Sequence, residues 1–430
     1  MRSVMMRLFF TLFFFTALLA GSRFSTPEAQ TTDDQVRMVP VDEAGSKFWP
    51  RWRGPSGQGL AVDSGYVDTW SDKQNVLWRT RVPGRGHSSP IIWGDRIFLT
   101  TSYDDGRAAV VAFRRSDGRQ LWEAFGPDRA QEYMHPKNSH ASATATTDGV
   151  HVFAFFGNKG VLAVDFDGRV VWHKSLGQFD NYHGTAGSPL LYKDKLILFQ
   201  DVYRGGFVTA LDTKSGRPLW RTSRPQTVGW STPIAIRAVD HDEIVVSSQG
   251  RVYGYDPDTG RELWTARGNL DEVIPTPVVG FGFVFCSSGR AGPTLAIKPG
   301  GKGDVTRTHI AWESPRGSPF VPSPLLYGDH LYLVNDMTSI ATSLDAKTGE
   351  LTWQGRLGYA MREGFSASPV AADGKIFFTN DEGETFVLRA GPKFELMHVN
   401  RLNATVLASP ALVDQRWYFR TDRELLAIGR

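Results

Sequence analysis

Short apolar runs alternate with polar turns along most of the chain, and one such unit recurs. It is clearest at residues 207–220, FVTALDTKSGRPLW, where an apolar run leads into a glycine-containing turn and Trp220 follows Gly216 by four residues. A tight turn between two apolar runs, with a glycine free to take positive φ, predicts a β-hairpin. Similar units at residues 110–122, 252–264 and 340–353 predict an array of one repeated supersecondary element.

Two markers measure the length of the repeat. The first is the hairpin tryptophan, and the second is a Ser or Thr followed by Pro at the start of an apolar run, as at Ser89–Pro90 and Ser409–Pro410. A degenerate copy of the second marker is expected near Ser142–Ala143. From Trp78 to Met397, which takes the eighth tryptophan position, seven intervals average 45.6 residues, and from Pro90 to Pro410 seven intervals average 45.7. Both markers therefore indicate one period.

Each period contains four strand-like runs, which in the sixth are Pro324–Leu326, His330–Val334, Ile340–Leu344 and Glu350–Gln354. Four-stranded units of about 40–50 residues are typical of propeller blades. The last period stops without its Gly–Trp strand, whereas residues 75–82 form a strand that has no blade of its own. Pairing these two ends removes exposed sheet edges. We therefore predict an all-β, eight-bladed β-propeller of four-stranded antiparallel blades, closed by pairing the N-terminal strand with the C-terminal blade.

The N-terminal 30 residues predict a secretory signal peptide. Arg2 and Arg7 precede an apolar stretch from Leu8 to Ala20, which is too short to span a bilayer. We expect a flexible lead-in over residues 31–47, a single propeller domain over residues 48–430, and a protein exported to the periplasm or beyond. Because there is no cysteine near the apolar stretch, we expect no lipid anchor, and we expect no transmembrane segment.

Composition narrows the classes of partner. A net charge of +3 on 430 residues gives no case for binding nucleic acid. Cys286 is the only cysteine, so no intrachain disulfide can form, and its apolar context predicts a buried strand position.

Residues 48–60 mix Phe48, Trp49 and Trp52 with Gly and Pro. This composition predicts a segment packed across the body of the propeller, and ligand binding by the segment is the alternative. We expect a monomer.

The motif A-x-D-x-x-[ST]-G-x-x-x-W, present as ALDTKSGRPLW, resembles the repeat of pyrroloquinoline quinone (PQQ) type propellers. That family includes quinoprotein alcohol dehydrogenases and the lipoprotein scaffold of the outer-membrane β-barrel assembly machinery. The resemblance covers roughly residues 48–430. It implies that tryptophans dock each blade against the next, namely Trp78, Trp122, Trp172, Trp220, Trp264, Trp312 and Trp353. The lengthened fifth hairpin and Met397 predict two altered blade contacts.

Candidate ligand-binding residues fall on one face of the predicted wheel, which we call the loop-rich face. It carries the loops leading into each first strand and the connections between second and third strands, and three of its loops are unusually long. The candidates are Arg85, His87, Asn138, His140, His183, Trp230, Asp201, Arg204, Asn335 and Asn380. Four histidines (His87, His135, His140 and His183) invite a metal interpretation, but they lack ligand-motif spacing, and we predict no metal site and no catalytic residue.

The predicted function is an exported, non-enzymatic binding or scaffold propeller that recognises an envelope protein or a small-molecule or glycan ligand through the loop-rich face. The alternatives are a PQQ-dependent alcohol or sugar dehydrogenase and a glycan-active propeller. By the same resemblance, a quinoprotein dehydrogenase would stack PQQ on a disulfide between adjacent cysteines and hold Ca²⁺ nearby. A single cysteine cannot form that disulfide, so PQQ and Ca²⁺ have no residue-level support.

Overall fold

The computed structural model describes residues 36–129, 132–178, 180–289, 292–359 and 364–430. These residues form eight sheets, each with four antiparallel strands, arranged as the blades of a propeller. The first strands of neighbouring blades contact one another around the axis, and the fourth strands lie outermost. The predicted fold class is confirmed. The predicted signal peptide lies outside the described residues.

The strands are grouped by their position in the blade, from blade 1 to blade 8. The first strands are Ile91–Trp93, Thr146–Thr147, Leu190–Tyr192, Ile234–Arg237, Val278–Gly280, Leu325–Tyr327, Val370–Ala372 and Ala411–Val413. The second strands are Arg96–Ser102, His151–Phe155, Lys195–Gln200, Asp242–Ser248, Phe283–Ser287, His330–Asn335, Lys375–Thr379 and Arg416–Arg420. The third strands are Ala108–Arg114, Val161–Asp165, Phe207–Asp212, Arg251–Tyr255, Thr294–Ile297, Ile340–Asp345, Glu384–Arg389 and Glu424–Ile428. The fourth strands are Gln120–Phe125, Val170–Lys174, Pro218–Ser223, Glu262–Arg267, Ile310–Ser314, Leu351–Arg356, Leu396–Arg401 and, for blade 8, Val76–Arg81.

Helical structure among the described residues is slight. It consists of two 3₁₀ turns, Gly45–Lys47 and Gly157–Lys159, and the four-residue α-helix Thr306–His309. No helix in this part of the chain has the length and apolar character needed to cross a bilayer. Two further strands, Arg37–Met38 and Gly303–Asp304, extend the sheet of blade 4 at its two edges.

The ring closes as the ends of the sequence predict. The N-terminal strand Val76–Arg81 pairs antiparallel with Glu424–Ile428, so that Trp78 lies opposite Ala427. Blade 8 is therefore built from both ends of the chain, which leaves no blade with an unfilled position. The prediction of closure through the C-terminal blade is confirmed.

A ring of hydroxyl side chains surrounds the axis where the first strands begin. In seven successive blade-to-blade steps, the backbone N–H of one member donates to the side-chain oxygen of the next at 2.9–3.0 Å. We call this set the axial ring; its members are Ser89, Thr144, Ser188, Thr232, Thr276, Ser323, Ser368 and Ser409. Seven of them immediately precede a proline. The Ser/Thr–Pro marker is thus an inter-blade hydrogen bond as well as a strand start.

The degenerate copy of that marker lies at Thr144–Ala145, not at Ser142–Ala143. Thr144 accepts the N–H of Ser89 and donates its own N–H to Ser188, so it takes the ring position. Ser142 belongs to the preceding loop, where its hydroxyl accepts the N–H of Ser139. The prediction was wrong by two residues because Ala145 replaces the proline that identifies the other copies.

The hairpin tryptophans contact the next blade at its third-to-fourth-strand turn. In six of them the indole N–H donates to a carbonyl of that turn: Trp78 to Arg115 (3.1 Å), Trp122 to Phe166 (2.8 Å), Trp172 to Thr213 (2.8 Å), Trp220 to Pro257 (3.1 Å), Trp312 to Ala346 (3.2 Å) and Trp353 to Gly391 (2.9 Å). The turn glycine allows this approach. At Gly216 φ is 67° and a Cβ atom would lie 2.6 Å from the Trp172 ring.

Trp264 departs from the implied docking role. Its indole N–H donates to the Glu243 carboxylate of its own blade at 2.8 Å, and the side chain is completely buried. The cause is the lengthened hairpin of blade 5, whose strand Gly303–Asp304 folds back beside Glu262–Arg267. The sequence predicted an altered blade contact at this hairpin. In the structure, the lengthened hairpin adds a strand that covers the outer edge of blade 4.

Residues 48–60 cross the propeller on the face opposite the loop-rich face. The backbone of Trp49 pairs with Ile92 of blade 1, and Leu60 pairs with Ala371 of blade 7. Between them, Arg53 donates to the carbonyl of Pro324 in blade 6 at 2.8 Å. The prediction of a segment packed across the body is confirmed, and Trp49 is completely buried.

The lead-in differs from the expected flexible segment over its described part. Arg37 and Met38 form a short strand paired with Arg237 and Ile236 of blade 4, and Val36 and Met38 are buried against that blade. Pairing with the free edge of an inner strand satisfies backbone groups of both segments. Residues 36–38 are thus part of the blade 4 sheet.

Candidate functional site

A cavity of about 230 Å³ lies on the axis at the loop-rich face. Seven members of the axial ring, all but Ser323, line it. The loops that lead into the first strands add polar and aromatic groups, and the crossing segment adds Trp52 from the opposite side. These further lining residues include His87, His135, Lys137, Asn138, His183, Trp230, Ile274, Phe320 and Ser366.

The mouth of the cavity is formed by two long loops joined by hydrogen bonds from a side chain of one loop to backbone carbonyls of the other. Asn138 donates from Nδ2 to the carbonyl oxygens of His183 (2.8 Å) and Thr185 (3.3 Å). This places the imidazole rings of His135 and His183 edge to face, with their centres 4.7 Å apart. Lys137 forms an ion pair with Asp381 of blade 7 at 2.7 Å. Since the side chains of Lys137 and His183 are each 30% exposed, the mouth opens to solvent.

Trp230 forms part of the wall and is fixed by the neighbouring loop. Its indole N–H donates to the carbonyl of Gly184 at 2.7 Å, and its ring centre lies 5.7 Å from that of His183 and 5.8 Å from that of Tyr182. Tyr182 in turn donates its hydroxyl to the carboxylate of Glu272, from the loop leading into blade 5. Loops of blades 3, 4 and 5 therefore support one aromatic cluster.

His87 lies on the opposite wall in a positively charged setting. Burial, and then the positive charge of Arg420, lower the pKa of His87 to about 4, with a further contribution from Lys137. Arg420 is buried and donates to Ser88 Oγ at 2.6 Å and to the carbonyl of Thr100 at 2.8 Å. Burial lowers the pKa of Arg420 to about 9, so it remains a cation at neutral pH while His87 is neutral.

The lowered pKa of His87 predicts that the protein loses stability as the pH falls. An unfolded histidine titrates near 6.5, so the folded state binds fewer protons than the unfolded state between about pH 6.5 and pH 4. Over that window wild type should lose about 3 kcal/mol more free energy of unfolding than His87→Gln. Urea unfolding at pH 7.5, 5.5 and 4 would measure the difference. Equal pH profiles for the two proteins would contradict the assigned setting of His87.

Asp201 lies outside the cavity and is completely buried. Arg224 donates to its carboxylate from Nε at 2.7 Å and from Nη2 at 3.1 Å, and Ser248 also donates to it. The backbone of Asp201 pairs with Gly229, next to Trp230. The structure therefore places Asp201 in a buried ion pair beneath the Trp230 loop, not on the ligand-facing surface that the sequence indicated.

The other candidates divide between the cavity and positions away from it. His87, Asn138, His183 and Trp230 line the cavity. Arg85 and Arg204 are exposed on the loop-rich face away from it. His140 faces Glu132 at 3.8 Å, Asn335 donates to the Ser318 carbonyl at 3.0 Å, and Asn380 is buried in a turn where it bonds Glu384.

The candidate set leaves out most of the lining, chiefly the axial ring, Trp52, His135 and Lys137. The ring serines and threonines were present in the sequence as a strand-start marker, and their regular recurrence before proline was the signal. His135 and Lys137 lie in the same long loop as Asn138, so the unusual length of that loop was the sequence feature that could have identified them. Trp52 reaches the cavity through the crossing segment, for which ligand binding was the predicted alternative to packing.

The described residues do not fit the arrangement of PQQ and Ca²⁺ that the resemblance to quinoprotein dehydrogenases implies. Cys286 is completely buried in the second strand of blade 5, where burial raises the pKa of its thiol to about 12. In the described ranges, no group of three or more His, Cys, Asp or Glu side chains is placed to hold a metal ion. A volume of about 230 Å³ is also below the ~300–1,000 Å³ usual for cofactor-sized ligands. These residues therefore support no reaction step through PQQ.

Comparison with known proteins assigns the family. The family model described as outer membrane protein assembly factor BamB, which belongs to the PQQ-type repeats, matches residues 37–183 and 142–355. The chain belongs to this BamB family. The resemblance to PQQ-type propellers is therefore confirmed.

Two BamB relatives and one solved structure show how far the similarity extends. The outer membrane protein assembly factor BamB of Yersinia pestis is 23% identical over 355 residues, which cover 78% of this chain and 77% of that protein. The BamB protein of Burkholderia pseudomallei is 28% identical over 198 residues, 44% of this chain and 46% of that protein, so the match spans about half of that relative. Quinohemoprotein alcohol dehydrogenase from Comamonas testosteroni superposes with a TM-score of 0.63 at 12% identity, over 90% of this chain and 81% of that one. At that identity the likeness concerns the fold alone.

Proposed function

We propose that this BamB-family chain is an exported, non-enzymatic scaffold that holds an envelope protein against its loop-rich face. The observation that carries the proposal is the family match over residues 37–355, since the relatives above bear the name of outer membrane protein assembly factors. The signal peptide expected over residues 1–30 supports a location in the periplasm or outside the cell.

The surface chemistry of the loop-rich face supports a protein partner. Large apolar groups are exposed there on loops of four different blades: Tyr133 (67% exposed), Tyr203 (47%), Leu270 (49%) and Tyr359 (89%). Exposed Arg85 and Arg204 lie on the same face. Tyrosine and arginine are enriched where protein interfaces concentrate their binding energy. The third-to-fourth-strand turns of the opposite face also carry exposed arginines (Arg119, Arg169, Arg217 and Arg261), but they contain no tyrosine, so the exposed tyrosines are what distinguish the loop-rich face.

Site-specific photo-cross-linking tests the proposal. A photoreactive amino acid at Tyr203 or Tyr359 should cross-link one defined envelope protein in intact cells, because those side chains project from the loop-rich face. The same group at Lys214, in an exposed turn of the opposite face, is the matched control and should give little of that product. The combined change Tyr203→Ser and Tyr359→Ser should reduce the yield from a third probe at Leu270 about tenfold or more.

Three results would contradict the proposal. Cross-linking that is equal from the two faces would show that the loop-rich face does not hold the partner. Tight, stoichiometric binding of added PQQ and Ca²⁺ with dye-linked alcohol oxidation would establish the dehydrogenase alternative. Capture of a glycan in place of a protein, lost on the same tyrosine substitutions, would establish the glycan alternative.

A further inference from the structure

The axial ring directs hydrogen-bond donors toward the cavity. Six of its hydroxyl oxygens both line the cavity and accept a backbone N–H from the neighbouring blade: Thr144, Ser188, Thr232, Thr276, Ser368 and Ser409. A hydroxyl whose oxygen already accepts a bond keeps its single O–H to donate. Within the described ranges no bond from these six hydroxyls to a protein acceptor is found. Their O–H groups are therefore free to converge on a ligand that accepts hydrogen bonds.

The lining carries potential positive charge and no carboxylate. Among the described residues that line the cavity there are Lys137 and three histidines, of which His87 is neutral at neutral pH, but no Asp or Glu. Four carboxylates around the mouth lie outside the lining: Asp381 pairs with Lys137, Glu272 accepts from Tyr182, Asp336 accepts the N–H of Phe320 at 2.8 Å, and Glu132 faces His140 at 3.8 Å.

Two buried guanidinium groups add positive charge behind the walls. Arg53, 1% exposed, donates from Nη2 to the carbonyls of Gln58 (2.9 Å) and Pro324 (2.8 Å), and its guanidinium carbon lies 6.0 Å from the ring centre of Trp52, which lines the cavity. Its Nε and Nη1 have no partner in the described structure. Arg420 lies behind His87, bonded only to Ser88 and Thr100 as far as the described residues show. An uncompensated buried cation favours a nearby anion strongly, because screening by water is weak there.

The size of the cavity limits the anion to a small one. About 230 Å³, walled in part by Trp230, Phe320 and Ile274, accommodates a short carbon chain, but it is smaller than the space usual for cofactor-sized ligands. A carboxylate has two oxygens with about four acceptor positions, which suits several converging O–H donors. The donor ring, the charge and the volume thus select the same class of ligand.

We propose that the axial cavity binds a small organic carboxylate, held by the axial-ring hydroxyls and reached past Lys137. The carboxylate belongs either to a free organic acid or to the C-terminus of a peptide chain that enters the mouth. This inference rests on the cavity alone and is independent of the scaffold proposal, so either can fail without the other.

Calorimetric titration of the full-length mature protein tests the site with matched probes. Acetate and succinate represent the free acid, and succinamide is the neutral analogue of succinate with nearly the same shape. A tripeptide with a free C-terminus and its C-terminal amide represent the chain end. Succinate should bind at least about tenfold more tightly than succinamide, because the neutral amide loses at least one charge-assisted hydrogen bond. Binding of the free-acid tripeptide but not of succinate would support the same site and identify the chain end as its source.

Two variants locate the site. Thr232→Val keeps the side-chain shape but removes both the O–H donor and the oxygen that accepts the Ser188 N–H, whereas Lys137→Met removes the charge at the mouth without altering the ring. Each should weaken succinate binding about tenfold. Thr100→Val is the matched control, because Thr100 bonds buried carbonyls of the loop leading into blade 2 and does not line the cavity. Lys137→Met keeps the test decisive if Thr232→Val fails to fold. No binding of any acid at millimolar concentration, or equal binding of acid and amide, would overturn the proposal.

Discussion

Asp201→Ala should lower the free energy of unfolding by about 3–5 kcal/mol, among the largest effects of any single substitution in this chain. The carboxylate of Asp201 and the guanidinium of Arg224 are both completely buried in their ion pair. Removing the carboxylate leaves Arg224 as an uncompensated cation, enclosed by Tyr253 and Tyr255. Because backbone bonds join Asp201 to Gly229, the Trp230 loop should also loosen, which near-ultraviolet circular dichroism would detect.

A double variant can show whether the lower free energy of unfolding of Asp201→Ala comes from the unpaired buried charge or from lost packing. The double variant Asp201→Leu with Arg224→Met removes both charges and keeps most of the volume, and it should recover most of the lost stability. Asp194→Ala in the same blade removes a carboxylate that is 67% exposed in its pair with Lys195, and it should cost less than about 1 kcal/mol. Urea unfolding of the four proteins provides the comparison. A double variant as unstable as Asp201→Ala would show that packing, and not the buried charge, explains the effect.

The propeller could be predicted from the sequence because its information is periodic. Each blade must bury two sheet faces against its neighbours, so the same order of apolar runs, turn glycine and tryptophan recurs about every 45.6 residues. Closure was predictable for a similar reason, since the strand around Trp78 lacked a blade and the last blade lacked a strand. Where the period is broken, local inference failed: Thr144 was missed when Ala145 replaced proline.

The candidate site was predictable only in part, because burial depends on contacts between distant loops. Asp201 and Asn380 have the polar character of surface residues and occur in connections on the loop-rich face, yet both are buried in networks with Arg224 and Glu384 respectively. Nothing within a few residues of Asp201 indicates that Arg224 will lie beneath it. The aromatic residues of segment 48–60 raised ligand binding as an alternative, but chain order does not show that Trp52 in particular reaches the axis.

The axial ring shows a third kind of limit. Its serines and threonines were recognised by their position before proline, which is a property of strand starts. Their second role depends on the curvature that brings the N–H of one first strand toward the hydroxyl of the next, as between Ser188 and Thr232. A one-dimensional pattern contains the recurrence but not the direction of the bond. The donor lining of the cavity therefore became visible only in three dimensions.

Trp417→Ala is expected to be the most damaging change at the closure of the ring, with a loss of about 3–5 kcal/mol. The side chain is completely buried in blade 8, and its indole N–H donates to the carbonyl of Val67 at 2.8 Å. Its ring centre lies 5.1 Å from that of Trp70 and 4.6 Å from that of Phe377 in blade 7. One side chain thus joins the N-terminal segment to the last two blades. Trp417→Phe should cost much less, because it keeps an aromatic ring there.

The location of the damage distinguishes loss of closure from general weakening. Because Trp417 anchors residues 66–70, which lead directly into the closing strand Val76–Arg81, its loss should free that strand before any other. Hydrogen exchange of the Val76–Arg81 amides should therefore accelerate far more than that of Asp242–Ser248 in blade 4. Uniform acceleration in both strands would show that the propeller opens as a single cooperative unit. In that case the joined ends would be no weaker than the rest of the ring, and the closing strand would have no special part in its stability.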